Sequence, residues 1–154
     1  MDVVWTFLQI LATLTWAAPH PKSDALVFQS RAEMEKVWVA DGGKAEELPK
    51  VDFDANTVIA VFGGKKPTGG HSVKIEKICS PSGLAEPWVY VLYREVAPAK
   101  GAMVTQAESY PCQVVTIKKS LGNFKFMDVG TASGQQFLAQ VEAAEKRQKD
   151  AGKK

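Results

Sequence analysis

The chain has 154 residues, 45% of them hydrophobic, which suits one packed core and excludes a multidomain enzyme. With 23% charged residues, 9% aromatics, 12 Gly and 8 Pro, a disordered chain, a collagen repeat and a heptad rod are all excluded. The net charge of +2 comes from residues 145–154, whose five bases and two acids give +3 and leave the rest at −1, so no basic face for nucleic acid is expected.

The first feature along the chain is an apolar run from Val3 to Ala18. It is shorter than the roughly 20 residues of a membrane span, so no stable span is expected. Residues 1–18 read as a secretory signal, with Thr15 and Ala17 as the small residues before a cleavage site, although Asp2 stands where a positive leader should be. The other reading is a strand or helix packed on the core. A signal would place the protein outside the cytoplasm, periplasmic or secreted, and its absence would leave it cytoplasmic.

Pro19, His20, Pro21 and Lys22 make 19–24 a linker, because alternate prolines suit neither helix nor sheet. A single domain is expected over 25–145. Ser30 and Glu33 form a capping box, and Met34, Val37 and Trp38 follow at helical spacing until Gly42 and Gly43. Strands are predicted at 57–62, 71–79, 88–95, 112–117 and 124–129. In the second of these the alternation of Val73 and Ile75 slips phase at Ile78. Ser133 and Gln136 cap a second helix with a stripe of Phe137, Leu138, Val141 and Ala144, and 146–154 is a charged flexible tail. The expected fold is α+β: a small antiparallel sheet or partly open barrel of four to five strands, with one helix before and one after.

Gly63 to Gly70 holds four of the twelve glycines. A phosphate cradle needs Gly-Lys-Ser/Thr opening a helix, whereas a strand follows here, so no cofactor is expected. The bland reading is a strand connection in which glycines take positive φ. The functional reading is a binding loop, Lys65, Lys66, Pro67, Thr68, Gly69, Gly70 and His71, offering exposed backbone donors and two cations to a protein partner. Cys79 and Cys112 lack CxxC spacing and His20 and His71 are the only imidazoles, so no metal site is expected. If the strands near 73, 90 and 115 form an antiparallel meander, the two thiols stand at opposite ends of it and both are free. The acidic pairs Asp52 with Asp54 and Glu46 with Glu47 read as loop solvation.

Val51, Asp52, Phe53, the strand Val58–Phe62 and the Lys-Pro-Thr-Gly-Gly loop leading into Ser72, Val73 and Ile75 resemble the C-terminal domain of the PrcB family of protease complex subunits. Pro98, Gly101, Met103, Val104, Gln106, Tyr110, Pro111, Val115, Ile117 and Lys118 continue the pattern, which covers about 51–119. Two positions depart from it: His71 replaces a Tyr and Cys112 an aromatic. They raise a Cys/His nucleophile that lacks an orienting third group, so no catalytic residue is expected. The resemblance implies a noncatalytic partner of a secreted protease, and the expected function is an extracytoplasmic interaction module that is an accessory or stabilising subunit of a protease or envelope complex, with Gln106, Tyr110 and Pro111 as a secondary loop. The alternative is a direct protease inhibitor, because Pro67 to Gly70 is also similar to the Pro-Thr-Thr-Gly-Tyr loop of chagasin-like inhibitors.

Overall fold

In the computed structural model, which describes residues 3–82 and 88–152, the elements run β1 (Trp5–Phe7), β2 (Ala12–Leu14), β3 (Ser23–Phe28), α1 (Arg31–Ala40), β4 (Asn56–Gly63), β5 (Ser72–Pro81), β6 (Trp88–Val96), β7 (Cys112–Lys118), β8 (Asn123–Asp128) and α2 (Ala132–Ala151). Asp2 and the last two residues of the expected tail lie outside the described residues. The fold is α+β. Among the described residues eight strands form two four-stranded sheets, β1-β5-β6-β8 and β2-β7-β4-β3, neither closed into a barrel.

The described residues cluster into two compact units. The first draws on 3–8, 75–82, 88–94 and 121–152, the second on 9–74 and 95–120.

In the second unit β4 is the organising strand. Val58 to Phe62 is buried on both faces, so its backbone needs a ladder on each side. β3 supplies one, from Ser23↔Gly63 to Phe28↔Val58, and β7 the other, from Asn56↔Lys118 to Phe62↔Cys112, both antiparallel. That pairing overturns the expected meander: β7 lies beside β4, in a different sheet from β5 and β6. Helix α1 begins after the Ser30 cap that the sequence marks. Ser30 Oγ accepts the Glu33 N–H, while the Glu33 carboxylate accepts the N–H of Gln29, one residue before the cap. Gly42, at φ +99°, follows its C-terminal cap. Met34 and Trp38 of α1 pack with Trp16, Phe28, Leu48, Val58, Phe62 and Val114 into one core.

Order begins earlier than the prolines suggest. β3 starts at Ser23, and His20 is buried, with Nδ1 2.6 Å from Asp41 Oδ2 and Nε2 2.9 Å from Asp24 Oδ1. Its ring lies 3.9 Å from that of Phe62.

β5 is buried at Val73, Ile75, Ile78 and Cys79, with the phase slip seen in the sequence, and its residues from Ile75 onward belong to the first unit. β8 joins β6 in parallel, from Trp88↔Asn123 to Tyr93↔Asp128, which corrects the expectation of a wholly antiparallel sheet. Cys79, Leu92, Val129 and Val141 form the core here, flanked by Phe137 and Leu138 of the expected stripe. The N-cap of α2 is Thr131, whose Oγ1 accepts the Gly134 N–H, two residues before the predicted cap. α2 also runs through Ala151, past the expected start of the tail, and there the Gln148 side chain bonds to β1.

Candidate functional site

The loop between β4 and β5 begins where Gly63 donates its N–H to the Pro111 carbonyl at 2.8 Å. Gly64 then turns the chain at φ +80°, so close to Ser23 N that an added Cβ would lie 3.0 Å from it. Lys65 donates its N–H to the Pro21 carbonyl at 3.3 Å, and Lys66 exchanges both backbone hydrogen bonds with Ser109, at 2.8 and 2.9 Å. Ser109 Oγ donates to the Thr68 carbonyl at 2.6 Å, and the Gly69 N–H to the Thr105 carbonyl at 2.9 Å. The loop is thus sewn to the segment from Ala97 to Pro111, a strap that enters β7.

The same strap carries all three secondary candidates. Pro111 supplies the carbonyl that receives Gly63. The Tyr110 hydroxyl donates to Glu108 Oε2 at 3.4 Å, and Gln106, exposed, donates to the Val104 carbonyl at 3.4 Å. Both sets of residues selected from the sequence therefore lie on one structure.

What the loop offers differs from what its sequence suggests. The N–H groups of Lys65, Lys66 and Gly69 are consumed within the protein, so they are not available to a partner. Both cations are paired as well, Lys65 Nζ with Glu108 at 3.0 Å and Lys66 Nζ with Glu95 at 3.5 Å. The hydrogen bond to Glu108 raises the pKa of Lys65 above the ordinary lysine value, with the charge of Glu108 adding to it. Thr68 and Gly69 are half-buried, the Thr68 hydroxyl turned onto the Gly69 carbonyl at 3.2 Å. Lys65, Pro67 and Gly70 remain exposed.

Gly70 has φ +85°, and a Cβ there would come within 2.8 Å of Val104 and 2.9 Å of Pro98. A Cβ at Gly69 would overlap the Thr105 hydroxyl. The two glycines are thus demanded by the close approach of the strap as well as by a turn. His71, half-buried, lines a depression of about 220 Å³ together with Lys66, Glu95, Val96 and Pro111. Next to Val104, Met103 is fully exposed, and Val96 is exposed in the depression's rim.

Sequence reasoning missed Glu95, Thr105, Glu108 and Ser109, the residues that hold the loop. They stand about 30 to 40 positions downstream, and hydroxyls and carboxylates in a polar loop carry no periodicity that would single them out.

Cys112 opens β7. It packs against the core of the second unit, and burial, followed by the nearby Asp41 charge, pushes its thiol pKa up, away from the reactive thiolate. Among the described residues no group of three His, Cys, Asp or Glu side chains could hold a metal ion.

Residues 57–118 match the model of a protein family described as PrcB C-terminal. The match spans β4, the loop, β5, β6, the strap and β7. No curated protein and no solved structure matches the chain.

Proposed function

We propose that the chain, whose residues 57–118 match the PrcB C-terminal model, is a noncatalytic extracytoplasmic protein-interaction module, serving as an accessory or stabilising subunit of a protease or envelope complex. Its contact surface is the 65–71 loop together with the strap. The observation that carries this reading is the sewing of loop to strap. A glycine loop that served only to join two strands would need no partner segment, whereas this one is held in a single shape with Pro67, Gly70 and Met103 facing solvent. A surface ordered before binding loses little conformational entropy on association.

The partner's attraction is then chiefly to shape and apolar contact, because both lysines already have carboxylate partners. The inhibitor reading has less in its favour: a wedge for a protease cleft needs a projecting tip, and Thr68 and Gly69 are half-buried against Ser109 and Thr105. Titration of the full chain against papain-like and subtilisin-like proteases separates the two. An inhibitor abolishes activity stoichiometrically, while an accessory subunit binds without doing so.

A further inference from the structure

We infer that residues 3–16 are a working part of the folded protein, retained in its native form, although their composition matches a removable leader. The two ends of the segment are each built into one unit. In the first unit, β1 pairs with β5 through Trp5↔Pro81, Thr6↔Ser80 and Phe7↔Cys79, and the ladder is prolonged by Leu8 N–H to the Ile78 carbonyl and Ser82 N–H to the Val4 carbonyl, both 2.8 Å. The Gln148 amide of α2 closes on the backbone of Trp5 from the side, its Oε1 accepting the Trp5 N–H at 2.8 Å and its Nε2 donating to the Trp5 carbonyl at 2.9 Å. The Trp5 ring packs edge-on to Tyr90 and Phe137.

In the second unit, β2 pairs with β7 from Ala12↔Thr116 to Leu14↔Val114. Trp16 follows, buried, with its ring 5.0 Å from Trp38, 5.4 Å from Phe62 and 6.1 Å from Phe28, and its Nε1–H donated to Asp41 at 3.0 Å. Cleavage after Ala17 would remove the ring at the centre of that core. A leader that is to be discarded has no need of an indole hydrogen bond to Asp41 or of a glutamine clamp from 143 positions downstream. The apolar character that reads as a signal is the character that two short, half-buried strands also require.

The test uses the native protein and the full-length chain. Intact mass of protein from its source is expected to include Trp5 and Trp16, and a native chain beginning at Ala18 or Pro19 would overturn the inference. Replacing Trp16 by Ala in the full chain is expected to lower the melting temperature by about 10 °C. Because that variant can fail to fold, Gln148→Ala is the second arm: it alters no residue of the segment and removes only the clamp. A fall of about 2–4 °C is expected from it. An unchanged melting temperature for Gln148→Ala would show that β1 is not held in the native state and would overturn the inference equally.

Discussion

Lys66 and Ser109 exchange a pair of backbone hydrogen bonds across 43 positions of chain, an isolated antiparallel bridge that turns two loops into one surface. Ser109 adds a third bond through its hydroxyl to Thr68. Ser109→Ala removes that last bond and leaves a half-buried carbonyl short of a donor, so it is expected to cost about 1 kcal/mol in denaturant unfolding. A cost near zero would mean that the loop is not tied to the strap in solution.

Gly70→Ala is expected to be the more damaging loop substitution. The positive φ and the approach of Val104 and Pro98 act together, and a cost of about 1–3 kcal/mol should follow, read as a lower denaturation midpoint. Stability equal to that of the parent would contradict the close packing of loop on strap.

His20→Ala should destabilise the second unit by about 1–3 kcal/mol, because it leaves the Asp24 and Asp41 carboxylates without their shared partner and uncovers Phe62. Urea unfolding followed by tryptophan fluorescence reads this, since Trp16 donates to the same Asp41. An effect below about 0.5 kcal/mol, the size typical of neutral surface changes, would return the stretch to a linker.

Burial pushes the Cys79 thiol up to about 12 from its ordinary 9.0, and both cysteines are free. Native protein at pH 8 should therefore leave Cys79 unlabelled by iodoacetamide, while unfolded, unreduced protein labels at both positions. The stabilising contribution of the neutral thiol is complete below pH 9 and is lost as pH rises from there through about 12, because the unfolded chain releases that proton first. Rapid native labelling of Cys79, or a mass two protons light, would contradict this account.

The parts of the fold legible in the sequence were those whose signals are local. Ser30 with Glu33 marked α1, and the run from Thr57 to Phe62 marked β4, because capping and continuous burial are written in neighbouring residues. Which strands pair is not written there. The residues Cys112–Ile117 mark a strand but not its neighbours: a meander suggests β6, whereas β4 and β2 flank β7. The parallel pairing of β8 with β6 was hidden for the same reason. At the site, glycine content located the loop, yet the donors and cations assigned to a partner proved to be spent on Thr105, Glu108, Ser109 and Glu95.

The central claim is that loop and strap together form the partner-binding surface, and it is tested most directly by capture from the native source with the full chain and two variants, Thr68→Ala and Met103→Lys. Met103 is fully exposed and the Thr68 hydroxyl donates to the carbonyl of the adjacent Gly69, so each should change stability by about 0.5 kcal/mol or less. Protein captured by the parent chain should be recovered several-fold less by Met103→Lys, and less by Thr68→Ala, with melting temperatures close to the parent's. Equal recovery by all three would contradict the claim and leave the glycine loop as a connection between β4 and β5.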